Sequence, residues 1–157
     1  MKTEIERVLE QVRRSYWGDA WHGPSVSEAL HGVDAAVATS RAMPGTHTIA
    51  ELAAHLEFTQ QLVLERLEGR GRLTSDQENW PSVPHPLPDA DWLALQRRLR
   101  DGASALETAI SAFPSDRLDA PLVEGGSSAS NNLLGHAQHN AYHAGQIMLI
   151  KKLVQAR

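Results

Sequence analysis

Apolar residues recur along this chain at intervals of three and four, interrupted in a few places by clusters of glycine and proline. That rhythm predicts helices throughout. Thr3 with Glu6 reads as a capping box, and Ile5, Val8, Leu9, Val12 and Tyr16 follow at helical spacing, so a first amphipathic helix reaches about Trp17. Gly18 to Pro24 breaks it. Ser25 with Glu28 repeats the capping-box pattern for a short helix through Leu30, closed by Gly32. A second short piece, about Asp34 to Arg41, precedes the Met43-Pro44-Gly45 turn.

The second long helix has the clearest start: Thr48 as N-cap, Glu51 as its reciprocal partner, and no helix breaker before Gly69. Residues 68–88 hold Gly69, Gly71 and four prolines and read as a loop. Loops of that length inside a compact domain tend to be functional or mobile, and Trp80-Pro81 is the pair expected to pin this one to the body. Asp89 is the expected cap of a third long helix over about Ala90 to Phe113. Its Trp92, Leu95, Leu99, Ala103, Leu106, Ile110 and Phe113 step by three or four, as bundle helices do. Pro114 stops it, a second crossing loop covers Ser115 to Ser128, and Ser130 or Asn131 opens a last helix that runs to the end. There is no internal repeat and no strand alternation. Four long helices with short extras predict an all-α four-helix bundle, residues 1–157 forming one domain.

Histidine breaks the apolar pattern in two places. His136, His139 and His143 put three of the eight histidines into one short stretch of the last helix. At about 100° per residue, with His136 at zero, His139 falls near −60° and His143 near −20°. Ile147, Ile150 and Val154 fall between about −40° and 20°, so the imidazoles share the core-facing stripe. On the second long helix, Leu52, Leu56, Thr59, Leu62 and Val63 lie between about −20° and 100° of His55, which sits inside that buried arc. An unpaired polar group in a core costs about 1–3 kcal/mol, so these rings call for partners. A divalent ion shared by two rings one turn apart is one such partner. The spacing leaves the pair open: His139 with His143, or His136 with His139. His55 alone would read as a neutral, hydrogen-bonded core histidine.

Composition narrows the chemistry. The chain has no cysteine, so a metal site here uses nitrogen and oxygen donors. A formal charge of −4 argues against a nucleic-acid partner. Met1 to Arg7 mixes charges of both signs without the apolar block of a signal peptide, and no apolar run is long enough for a bilayer. The expectation is a cytoplasmic protein that acts on a small molecule, with neither membrane nor nucleic acid as partner. Arg97, Arg98 and Arg100 spread over polar helix faces and read as solvated, as do His22, His31 and His85. Arg70 and Arg72 flank the long loop, where they could meet an anionic substrate.

Thr46-His47-Thr48-Ile49-Ala50-Glu51-Leu52-Ala53-Ala54-His55, followed by Gln138-His139-Asn140-Ala141-Tyr142-His143-Ala144-Gly145-Gln146-Ile147, resembles the DinB-like superfamily of small bacterial four-helix bundles. Gly23-Pro24-Ser25 and Trp80-Pro81 carry the resemblance across nearly the whole chain. It implies one divalent metal ion held by His55, His139 and His143, with zinc or nickel foremost and iron or manganese also compatible. Relatives include S-transferases that use low-molecular-weight thiols, and others are proposed as metal-dependent hydrolases. Relatives often pair into homodimers. Ala50 stands where many relatives have tryptophan, which alters the pocket rather than the ligand set.

Thiol transfer is thus expected slightly ahead of hydrolysis, with a non-catalytic ion tying the second long helix to the fourth as the competing class. No catalytic residue is assigned. His136 is expected as a pocket residue beside the ligands, and His47 near the mouth of the site. Asn140 and Gln146 are placed to accept a ligand's ring N–H. Glu51 could reach inward, although its cap explains it. Tyr142, about 120° from the His139–His143 midline, is expected to pack.

Overall fold

Reciprocal caps start three of the helices. In α1 (Glu4–Trp17), α2 (Val26–Leu30) and α4 (Ile49–Leu67), the side chains of Thr3, Ser25 and Thr48 accept from a first-turn backbone N–H. Glu6, Glu28 and Glu51 reach back to the cap N–H in return, each cap being worth about 1 kcal/mol. Asp34 caps α3 (Ala35–Thr39). Ser128 caps α6 (Ala129–Gln155), slightly earlier than the Ser130 or Asn131 expected from the sequence. α5 (Asp89–Ser111) begins directly after Pro88, so Asp89 lies in the first turn instead of capping it. There its carboxylate faces the positive end of the helix dipole.

The computed structural model describes residues 1–156. α1 and α4 each pack against both α5 and α6, which places α1 and α4 on one diagonal of a four-helix bundle. The short helices α2 and α3 lie against α6 and α4. Among the described residues there is no strand, only an isolated bridge between Pro121 and Ser128. No described helix is long and apolar enough to cross a membrane.

The apolar core divides into two clusters. One holds Tyr16, Leu52, Leu56, Trp92, Leu99, Ile147 and Ile150. The other holds Val8, Val12, Val63, Leu106, Ile110 and Leu133. Between them, in sequence order on each helix, lie buried polar side chains: Ser15 on α1, Gln60 on α4, and His136 and Asn140 on α6. Gln60 Nε2 donates to the Leu99 carbonyl at 3.0 Å, and that contact needs the absence of a side chain at Gly102. A Cβ there would stand 2.1 Å from the amide nitrogen.

Candidate metal centre

His55 comes from the middle of α4, and His139 and His143 come one turn apart from α6. Packing of α4 on α6 brings all three imidazoles to one point. The His55 and His139 Nε2 atoms are 2.9 Å apart, those of His143 and His139 3.0 Å, and all three donor atoms lie within 4.8 Å of one another. His55 and His143 are buried and His139 partly so.

The outward nitrogens of two rings are already committed. His55 Nδ1–H donates to the Asn79 carbonyl at 2.5 Å, and His143 Nδ1–H donates to Gln146 Oε1 at 2.7 Å. Each bond keeps the proton on Nδ1 and leaves the Nε2 lone pair aimed at His139. A single proton on His139 Nε2 could satisfy only one of its two neighbours. The His139 Nδ1 is buried without a partner among the described residues, so neither tautomer of that ring settles the cluster. A cation shared by three lone pairs does. The donor set is neutral nitrogen throughout, which suits zinc, nickel, copper or iron, so these residues fit a divalent ion.

Burial keeps the rings in the ligand form. It is the first cause pushing His139 down to about 3, with His143, His55 and His136 adding to it. Burial likewise lowers His55 and His143, partly offset by their bonds to Asn79 and Gln146. Neutral imidazoles lose no proton on metal binding, so the site is ready near neutral pH.

Trp80 covers the centre. Its indole stacks on His55 with ring centres 4.0 Å apart and planes 7° from parallel, while His47 stacks on the opposite face at 3.9 Å and 5°. The long loop is therefore pinned at Asn79-Trp80, where Trp80-Pro81 was expected to hold it. His47 Nδ1 lies 3.4 Å from Glu51 Oε2, and the Trp80 indole separates its ring from His55. Glu51 itself stays out of it: Thr48 N–H donates to its carboxylate at 2.8 Å and Arg41 Nη2 at 2.9 Å.

Gln146 accepts from the His143 ring, whereas Asn140 touches none of the three converging histidines. Asn140 Nδ2 donates to Ser15 Oγ at 3.0 Å and to His136 Nε2 at 3.3 Å, away from the ligands. His136 is buried beside the triad and outside it. Tyr142 is 64 % exposed, contrary to the packing role expected. Its offset from the histidine midline carries it past the core arc, and only its ring edge meets His143, at 4.9 Å. Arg70 and Arg72 pair with Glu68 and Glu78. His22, His31, His85, Arg97, Arg98 and Arg100 are exposed. Asn79 escaped the sequence reading because nothing local marks it; its link to His55 crosses a loop, and only the neighbouring Trp80-Pro81 hinted at it.

No curated protein matches the chain. A crystal structure described as the conserved protein of locus from Enterococcus faecalis superposes over 100% of both chains, with a TM-score of 0.72 at 15% identity, and shows the shared fold. Residues 20–147 match the model of the DinB superfamily, and with most of its length covered the chain belongs to that superfamily.

Proposed function

We propose that His55, His139 and His143 bind one divalent metal ion, zinc or nickel foremost, and that the protein is a metal-dependent enzyme acting on a small molecule. The observation that carries this reading is the convergence of three Nε2 atoms whose partner nitrogens on His55 and His143 are already hydrogen-bonded. Three protein ligands match the pattern of catalytic rather than structural zinc, which is usually closed by four. An ion so held supplies Lewis acidity and a position for an exogenous ligand.

The chain's residues favour transfer of a low-molecular-weight thiol over hydrolysis. Neutral histidines leave the ion's charge uncompensated, which suits an anionic thiolate. The nearest acidic candidate from the sequence, Glu51, is held by its cap and by Arg41, so no general base for water is poised there. Asn79 and Gln146 orient two of the ligand rings, and Trp80 shields His55 from solvent.

Metal content of untagged protein, measured by mass spectrometry for the native chain, His55→Ala and His143→Ala, tests the site. About one equivalent in the native chain, lost in both variants, is the expected result. No metal after reconstitution with zinc or nickel would remove the enzyme reading. Turnover that requires an added thiol would select transfer. A melting temperature that collapses on chelation, without turnover, would assign the ion a structural role.

A further inference from the structure

Next to the metal centre, α6 and the turn before α4 enclose a groove of about 220 Å³. Leu52 and Ile150 form its buried floor, while Met43, Leu149 and Leu153 form its walls. The wall residues are 52 %, 58 % and 38 % exposed, respectively, although Ile147 and Ile150 already supply the core side of α6. Packing of the bundle gives these three side chains no reason to be apolar.

One end of the groove is polar, with Gln146 and His47 lining it. Gln146 spends Oε1 on the His143 ring, and its amide N–H₂ has no hydrogen-bond partner among the described residues. His47 is set with Nδ1 toward Glu51 and its ring flat on Trp80, which leaves Nε2 as an acceptor. The same two residues connect the groove to the metal ligands, Gln146 through His143 and His47 through Trp80 to His55.

An apolar cavity of about 150 Å³ holds benzene, so a groove of this volume takes one six-membered ring with a substituent, or a chain of about six carbons. The polar end adds a requirement for a hydrogen-bond acceptor. We propose that the groove binds a small amphipathic molecule, a single ring or short alkyl chain bearing a carbonyl or carboxylate. The apolar part lies between Met43, Leu149 and Leu153, and the oxygen accepts from Gln146 Nε2. As the recognition end of a substrate this rests on the metal-enzyme reading; the binding itself does not require the ion. A second copy of the chain is a poorer fit, because stable interfaces engage roughly 20–30 residues a side and this patch offers three walls.

Full-length protein with ¹³C-labelled methyl groups, titrated with hexanoate and with benzoate, tests the proposal. Saturable shifts confined to the methyls that line the groove, those of Met43, Leu52, Leu149, Ile150 and Leu153, are expected. Leu149→Asp, at an exposed position, should weaken binding at least tenfold, and Gln146→Leu should weaken hexanoate more than it weakens toluene. His139→Ala should lose metal and still bind hexanoate, so failure of the metal site and failure of the groove read out separately. Shifts that scatter without saturating would overturn the proposal. So would shifts of the same methyls with protein concentration alone, accompanied by sedimentation of a dimer.

Discussion

Two polar breaks in the core lie within one turn of each other on α6, and their neighbours meet them in opposite ways. His136 and Asn140 meet α1, where Asn140 donates to Ser15, and the Ser15 hydroxyl donates to the Val12 carbonyl at 2.8 Å. Donors and acceptors alternate along that array from Asn140 through Ser15 to Val12, and its one unpaired group among the described residues is the buried Nδ1 of His136. His139 and His143 meet α4, where three Nε2 atoms face only one another. That array repeats one kind of group, and neutral imidazole offers one donor and one acceptor per ring. The first arrangement leaves a single orphaned ring nitrogen, a cost of about 1–3 kcal/mol that a core can carry. The second calls for a cation, and the neighbours that supply hydrogens, more than the histidines themselves, separate the structural cluster from the chemical one.

The largest expected effect concerns the array that faces α1. Burial pushes His136 down to about 4 from an ordinary 6.5. The unfolded chain therefore takes up this proton before the folded chain, so stability is held above about pH 6.5 and lost as pH falls toward about 4. Between about pH 7 and pH 4 the loss amounts to about 3 kcal/mol. In urea unfolding the native chain should lose that much more than His136→Leu over the same range. Equal losses would mean that the ring takes up its proton without cost in the fold, and that the array is open to water.

Next in size is Asn140→Ala. It strips hydrogen-bond partners from buried Ser15 and His136 and should cost about 2 kcal/mol of stability, read from denaturant midpoints. Metal stoichiometry should stay at the native value. Loss of metal in this variant would merge the two arrays into one. The smallest effect is expected on the other side: Gln146→Leu removes the acceptor from His143 Nδ1–H and should weaken metal binding about tenfold in competition with a chromogenic chelator. Gln146 is only partly buried, so stability of the metal-free protein should barely change. Unchanged affinity would show that packing alone orients the ring.

Much of this was legible in the chain because it is local. Capping boxes join residues three apart, so Thr3–Glu6, Ser25–Glu28 and Thr48–Glu51 can be read directly, and each appears as expected. The bundle followed from helical periodicity. Periodicity also placed His55, His139 and His143 on buried faces, but choosing that set over His136 with His139 required a family resemblance. What periodicity could not reach was partner choice across the bundle. Asn140 lies on the same face as the ligands, yet it turns to Ser15, far away in sequence, because α1 lies beside it there. Tyr142 failed for a smaller reason: an angular offset tells which way a side chain leaves the helix, not where the neighbouring helix ends.

The clasp of Asn79 and Trp80 on His55 also bears on how this sequence can drift. It divides the segment between α4 and α5 into two shorter closures, and doubling the length of a loop costs only about 0.6 kcal/mol. Either half can therefore gain residues cheaply, before Ser75 or after Pro81. Between Asn79 and Trp80 a single inserted residue would slide the carbonyl off the His55 N–H or the indole off its ring. Length variation belongs on both sides of a two-residue point that cannot move.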